Sequence, residues 1–144
     1  ALSRIAAALR PSGWALLVFV CAGECPSLES VAMQVIRSTA WRPYFEGFGA
    51  PFVHPDVGVW TDTADSSGLR VVETTVDDLE WDFGSRDRFS KWCSVGFGAW
   101  TDHLPTATAD AFVSDVVEAY SEATGSASIF RFLQLRARLD RAVL

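Results

Sequence analysis

The sequence is short of cysteine, of basic residues and of long hydrophobic runs. Its 144 residues include three cysteines, an odd number in a chain with no recognisable secretory signal, so we do not expect a disulfide framework. Twelve lysines and arginines stand against eighteen aspartates and glutamates. The net charge of −6, with no basic cluster, argues against nucleic acid or an anionic membrane as the main partner. The longest apolar run, 14–22, is too short to span a bilayer, and we therefore predict a cytoplasmic protein.

The sequence also lacks the common motifs of cofactor binding, nucleophilic catalysis and metal binding. No glycine-rich nucleotide loop follows a strand, and the pairs Gly47-Phe48-Gly49 and Gly96-Phe97-Gly98 are not preceded by a β-rich run. There is no G-x-S-x-G elbow, and no nucleophile has an evident base. Cys21 and Cys25 do not have the spacing of a zinc knuckle, so we predict no metal site.

A few residues could nevertheless act as acids or bases. His54 and His103 are candidates because histidine is the side chain most often used as an acid or base, and Glu24 and Asp102 are further candidates. The acidic run 77–82 follows a predicted strand, where a solvated turn is the simplest interpretation. None of these residues forms a recognisable catalytic set.

Apolar and aromatic residues, by contrast, are abundant. Hydrophobic residues make up 49% of the chain, aromatic residues 12% and charged residues 21%, which excludes a disordered protein and predicts a substantial core. The length fits one domain covering 1–144.

The first twenty residues predict a helix, a turn and a strand. Leu2, Ile5 and Leu9 recur at helical spacing, and Pro11 ends the helix. We expect Gly13 to supply a positive φ in the turn. The strand Trp14–Val20 has no polar residue on either face, which is typical of a central strand covered on both sides.

The later elements follow from periodicity and capping residues. Ser27 and Ser85 are predicted helix caps, and a further helix begins near Asp56. Thr106 or Thr108 opens the clearest amphipathic helix. The predicted strands are 69–76, which is rich in β-branched residues, and 129–139, which alternates apolar and polar residues; Gly96, Gly98, Trp100 and His103 are assigned to a loop.

Two segments resemble parts of a known family. Leu9-Arg10-Pro11-Ser12-Gly13 before the apolar strand resembles the L-(K/R)-P-G-G turn that leads into the fifth strand of class I S-adenosylmethionine-dependent methyltransferases, although Ser12 replaces a glycine. The stretch 81–93 resembles the F-x-S-x-x-x-F-x-x-W segment after the sixth strand in small-molecule methyltransferases of the trans-aconitate and juvenile-hormone-acid type. The resemblance covers most of this chain but only the later half of such a domain.

This resemblance implies a fold and a role. The fold class would be α/β, the C-terminal part of a Rossmann-like methyltransferase: a three-stranded mixed sheet whose antiparallel last strand slots between the other two, with a helical substrate-lid insertion at 80–125. The full-length parent would use S-adenosyl-L-methionine. The donor-binding half is absent here, so this chain alone should neither bind the donor nor be active. Pocket-lining residues for a mostly apolar small molecule would be Cys21, Trp41, Tyr44, Trp92 and Trp100.

Two expectations about partners complete the prediction. A three-stranded sheet would leave the edge of Trp14–Val20 open, and an open apolar edge invites pairing into a homodimer. The alternative to a methyltransferase fragment is an autonomous α+β ligand-binding or protein-interaction module, whose tryptophan-rich loops would enclose an apolar ligand.

Overall fold

The computed structural model describes residues 1–142. Its elements in chain order are α1 (Leu2–Ala8), β1 (Trp14–Cys21), α2 (Leu28–Val35), a 3-10 turn (Arg42–Tyr44), α3 (Val57–Ser66), β2 (Leu69–Asp82), α4 (Arg86–Gly96), α5 (Gly98–Thr101), α6 (Thr106–Thr124) and β3 (Ile129–Arg141). Among residues 1–142 no helix is both long enough and apolar enough to cross a membrane.

The chain divides into two compact units. Unit 1 comprises Ala1–Gly23, His54–Leu79 and the described residues from Phe132 onward, and unit 2 comprises Glu24–Val53 and Glu80–Arg131. Each unit has its own hydrophobic core. The expected helical insertion, 80–125, falls within unit 2.

In unit 1, helices pack on one face of the sheet. The strand order is β1-β3-β2, and β1 pairs with β3 in antiparallel register from Trp14 opposite Asp140 to Cys21 opposite Leu133. β2 also runs antiparallel to β3, in agreement with the ion pairs Arg70–Asp140 (3.0 Å) and Arg136–Asp77 (3.3 Å). Every adjacent pair is thus antiparallel, and the sheet is not mixed as predicted. The expectation that the last strand lies between the other two is confirmed.

β1 occupies an edge of this sheet, as expected for a three-stranded sheet that leaves the edge of Trp14–Val20 open, but the expectation that both faces of the strand are covered is wrong for the described chain. Along β3, Leu135, Ala137 and Leu139 are fully buried and form a core with Ala6 of α1 and Trp60 of α3. The opposite face of β1 carries Trp14, Leu16 and Val18, which are 59%, 52% and 50% exposed. The apolar run of β1 is therefore covered by helices on one side only.

The helix caps follow the prediction. The side chains of Ser27, Asp56 and Ser85 accept hydrogen bonds from backbone N–H groups three residues later, which satisfies donors that a helix start leaves unpaired. The apolar stripe of α6, ending at Tyr120, is buried in unit 2. The Tyr120 hydroxyl accepts a hydrogen bond from the Arg131 N–H (3.1 Å), which holds the start of β3 against α6.

Two predicted loops are regular structure. β2 continues to Asp82, so the acidic run 77–82 lies in a strand and not in a turn. Pairing with β3 supports this extension, since Asp77 meets Arg136 and the Phe83 N–H donates to the Ser128 carbonyl (2.9 Å). Trp100 lies in the short helix α5, where the sequence predicted a loop. The glycines on either side of Phe97 concealed this helix, because glycine is a weak helix former.

The turn before β1 differs from the prediction in one residue. Ser12, not Gly13, has the positive φ, at 61°. Gly13 is required for space, since a Cβ there would lie 2.9 Å from the Arg10 carbonyl oxygen. The left-handed conformation is costly for serine and easy for glycine.

Ser12→Gly is therefore expected to stabilise the protein by about 0.5–1 kcal/mol, because relief of the backbone strain exceeds the added freedom of the unfolded chain. Gly13→Ala, one residue away, should destabilise it by about 1–3 kcal/mol through overlap with rigid backbone. Urea unfolding of both variants checks this pair. Equal effects at the two positions would contradict the assignment of the positive φ to Ser12.

Candidate functional site

Unit 2 contains an aromatic cluster built from the irregular segment after α2, from α5 and from α6. We use this name for ring-bearing residues linked by centroid distances of 4.9–6.4 Å, namely Trp41, Tyr44, Phe45, Phe48, Phe52, Phe97, Trp100, His103 and Phe112. Three of the predicted pocket residues, Trp41, Tyr44 and Trp100, belong to it. The segment 41–52 thus has the aromatic character that the sequence indicated for a pocket wall or lid.

Trp41 is held firmly within the cluster. It is buried, and its indole N–H donates a 2.8 Å hydrogen bond to Asp115 Oδ2 on α6. Its ring meets Phe112 edge-on at a centroid distance of 5.2 Å, a favoured geometry for aromatic pairs. The indole N–H of Trp41 therefore has a hydrogen-bond acceptor within the protein.

Trp100 differs from Trp41 in this respect. Its side chain is also buried, but no acceptor among the described residues lies within hydrogen-bonding distance of its indole nitrogen. Phe97, at 5.2 Å, and Phe48, at 6.3 Å, supply only rings around it. A buried donor without a partner costs about 1–3 kcal/mol, so such a group is rare in a native protein.

Phe48 and His103 lie beside Trp100 at the rim of the cluster. The His103 ring meets Phe48 edge-on at 4.9 Å and lies 6.0 Å from Phe45. His103 is solvent-exposed and Phe48 is half-buried, whereas Phe45 belongs to the core. The cluster thus has an apolar interior and an ionisable group at its margin.

Trp92 belongs to a second aromatic group in the same unit. Its ring lies 4.9 Å from Phe130 and 5.3 Å from Phe83, and its side chain is partly exposed on α4. Phe89 of the same helix is fully buried and lies 5.8 Å from Tyr120. Burial raises the pKa of the Tyr120 hydroxyl, in keeping with a structural role for this group.

Cys21, the fifth predicted pocket residue, lies at the end of β1 in unit 1. It is buried, and its thiol points at the Leu133 carbonyl oxygen from 3.8 Å. Burial raises the pKa of this thiol, which lowers its reactivity. Cys21 therefore belongs to the core of unit 1, while Trp41, Tyr44, Trp92 and Trp100 belong to unit 2.

The remaining acid–base candidates are dispersed. His54 is half-buried in unit 1 before α3, and Glu24 and Asp102 are exposed in unit 2. Within residues 1–142, no three His, Cys, Asp or Glu side chains are grouped as a metal ion would need. The most coherent chemical feature is the aromatic cluster with its unpaired donor.

The residues described here do not fit the methyl donor that the resemblance implies for the parent. Methyl donors of this class bind where a glycine-rich turn joins a strand to a helix. Gly96 and Gly98 instead flank the buried Phe97 between α4 and α5, and Gly47 and Gly49 lie in the segment after the 3-10 turn. We therefore place no step of methyl transfer on this chain's residues.

Sequence reasoning missed part of the cluster. Phe112 lies on the buried face of the amphipathic helix that the sequence predicted, but its place between Trp41 and Phe45 could not be foreseen. No sequence pattern pointed to Asp115, because its role as an acceptor depends on Trp41, which is distant in the sequence. The only available hint was that a buried tryptophan usually requires an acceptor.

Comparisons with known proteins give one informative result. No protein-family model and no curated protein matches the sequence. Among solved structures, a proposed methyltransferase from Bacillus halodurans C-125 gives a TM-score of 0.55 at 13% identity, over 99% of this chain and 57% of that protein. Phosphoethanolamine N-methyltransferase 2 of Haemonchus contortus, solved with phosphomonomethylethanolamine and S-adenosylhomocysteine, gives 0.43 at 12% identity over 99% and 29%, too low to support an argument. The chain thus has a methyltransferase-type fold and spans little more than half of the Bacillus protein.

Proposed function

We propose that this chain is the C-terminal, substrate-facing part of an S-adenosylmethionine-dependent methyltransferase that acts on a small molecule, and that it is inactive alone. The observation that carries the proposal is the fold likeness, which extends over 99% of this chain but only 57% of the Bacillus protein. The turn 9–13 and the segment 81–93 support the same assignment. In such enzymes the donor supplies the reactivity, and the protein positions the two reactants.

The aromatic cluster is the proposed acceptor site. The unpaired indole N–H of Trp100 suits a mostly apolar molecule with one hydrogen-bond acceptor, which would meet the polar requirement that the protein leaves open. Tyr44 is exposed next to Trp41 and stays a predicted pocket residue. Cys21, Trp41 and Trp92 stay predicted pocket residues.

The proposal is tested by the coding sequence upstream of Ala1 and by the longer protein that it encodes. We expect an apolar strand that runs into a glycine-rich turn, with an acidic residue about 20 positions further on. The longer protein should bind the methyl donor in calorimetry and transfer a labelled methyl group, and the 144-residue chain should do neither. Donor binding by the short chain would contradict the proposal, as would its absence from the longer protein.

Trp100→Phe tests the acceptor site directly. We expect it to weaken binding of acetophenone, an apolar ring with one carbonyl acceptor, about tenfold, the cost of one hydrogen bond in a buried site. Ethylbenzene has no acceptor and should bind both proteins equally. Calorimetric titrations of both proteins with both compounds measure the effect. A parallel loss for both compounds would mean that Trp100 contributes ring contacts alone.

A second function is favoured by the buried core of unit 2, which this chain forms from its own residues. In that case the chain is an autonomous ligand-binding or interaction module. Thermal stabilisation by a small apolar compound, combined with no donor binding by the longer protein, would support this alternative.

We also propose that the isolated chain forms a homodimer through the open edge of β1. This strand contains no charged residue, and charged edge residues are a common protection against pairing with another chain. Val18→Lys should shift the protein towards the monomer in light scattering, whereas Val95→Lys on the exposed side of α4 should not. A monomer at all concentrations would contradict the dimer.

A further inference from the structure

The indole N–H of Trp100 can reach a ligand only after one of the rings around it moves. Trp100 is 4% exposed, and no acceptor among the described residues lies within hydrogen-bonding distance of its indole nitrogen. Protein interiors are packed about as densely as organic crystals, so a molecule cannot reach a side chain this deeply buried without displacing a neighbour. Entry of a ligand therefore requires that a ring next to Trp100 be displaced.

The rings next to Trp100 differ in how firmly they are held. Phe97, at a centroid distance of 5.2 Å, is buried at the junction of α4 and α5. Phe48 and Phe52, at 6.3 and 6.4 Å, are only half-buried and lie on the irregular segment 47–52, whose other residues are exposed. We call this segment the flap. A segment with few buried side chains opens at a lower free energy than helices whose apolar sides form a core.

Phe48 lies between two glycines, Gly47 and Gly49. Gly47 has a φ of +73°, in the left-handed region that favours glycine. Gly49 lies outside that region, and a Cβ there would have nothing within 4 Å, so neither conformation nor space requires a glycine. What glycine adds at position 49 is backbone freedom. The Phe48 N–H donates to the carbonyl oxygen of the buried Phe45 (3.0 Å), which anchors the first end of the flap to the core.

From these features we propose that the flap is a gate to the acceptor site: Phe48 swings away from Trp100 about its two glycines, admits a small apolar ligand and closes again. The inference rests on the proposed acceptor site and adds how a ligand enters it. In the closed form Phe48 also meets Phe45 at 5.3 Å and His103 at 4.9 Å. Every contact that closes the gate joins residues of unit 2. A ligand that enters only the open form associates at a rate proportional to the open fraction.

Hydrogen exchange of indole N–H groups in the ligand-free chain tests the gate without any assumption about the ligand. The chain has six tryptophans, and the NMR signals of Trp41 and Trp100 are assigned by their loss in Trp41→Phe and Trp100→Phe. The Trp41 N–H, which is bonded to Asp115, is the internal control in the same spectrum. We expect the Trp100 N–H to exchange faster than the Trp41 N–H, because the gate opens without unfolding of the core.

Two flap variants should move the Trp100 exchange rate in opposite directions. Phe48→Ala should raise it at least about tenfold, because the covering ring is gone. Gly49→Ala should lower it about two- to fivefold, because alanine restricts the open flap more than the closed one. Gly96→Ala, where a Cβ also has nothing within 4 Å, should leave the Trp100 rate unchanged. The Trp41 rate shows whether any variant has destabilised the core as a whole.

Acetophenone connects the gate to the proposed acceptor site. Its association rate in stopped-flow fluorescence should rise in Phe48→Ala and fall about two- to fivefold in Gly49→Ala. Exchange that responds as expected, without acetophenone binding, would support the gate and count against the acceptor site. Equal exchange rates for Trp41 and Trp100 in the wild type and in both flap variants would mean that Trp100 is reached only by unfolding of the core, and would overturn the gate.

Discussion

Replacement of Phe112 by alanine is expected to lower the free energy of unfolding by about 3–5 kcal/mol. The side chain is fully buried on α6, and its ring contacts Trp41, Phe45 and Phe97 at 5.2–6.4 Å. Its removal loses transfer free energy and leaves a cavity that these rigid rings cannot fill. Because small domains are stable by about 5–15 kcal/mol, the loss is a large fraction of the total. Denaturant unfolding followed by near-UV circular dichroism measures it.

Trp81→Ala is the matched control for Phe112. Trp81 is also aromatic and stacks on Phe83 at 6.2 Å, but it is 66% exposed, so the expected loss is about 1 kcal/mol or less. Phe112→Leu retains much of the buried volume and should give an intermediate value. If alanine at 112 cost no more than alanine at 81, α6 would not be the centre of the unit 2 core.

Cys93 is expected to be alkylated at least about a thousandfold more slowly than Cys25 in the folded protein at pH 9. Burial on α4, with a smaller contribution from the negative charge of Glu29, raises the pKa of the Cys93 thiol to about 12. Since the thiolate is the nucleophile, only about one Cys93 in a thousand is ionised at pH 9. Cys25 is exposed and accessible. Iodoacetamide labelling followed by peptide mass spectrometry measures both rates.

The same shift predicts a loss of stability in alkali. The folded state favours the protonated thiol, and the unfolded thiol has a pKa of about 8.5. The contribution of Cys93 is thus fully present below about pH 8.5 and is lost as the pH rises towards 12. Cys93→Ala should remove this part of the alkaline decline, whereas Cys25→Ala should not. Equal labelling of both thiols in native buffer would contradict a buried Cys93.

Local sequence signals predicted the elements well. Ser27 and Ser85 cap the helices that they were expected to cap, and a helix begins after Asp56 as expected, because capping depends on residues three positions apart. The alternation in 129–139 correctly predicted β3, since its period of two reflects a face that packs on helices. The antiparallel last strand between the other two was predicted by the family resemblance.

Errors arose where long-range pairing determined the conformation. The acidic run 77–82 is strand because β3 supplies partners, among them Arg136 for Asp77. Trp14, Leu16 and Val18 of β1 are exposed because no element within the described chain covers that face of the strand. The positive φ lies at Ser12, whereas Gly13 is needed because a Cβ there would overlap the Arg10 carbonyl oxygen of the same turn.

The sequence by itself determined β1, β3, the start of β2, the longer helices and the apolar composition of β1, because these depend on residues within one or two turns of each other. Only the tertiary structure decided which aromatic residues meet. Trp41 is paired with Asp115, 74 positions away, while Trp100 has no acceptor among residues 1–142. Burial and hydrogen-bond partners are properties of residues distant in the sequence, and periodicity contains no information about them. The candidate acceptor site therefore became visible only in the folded chain.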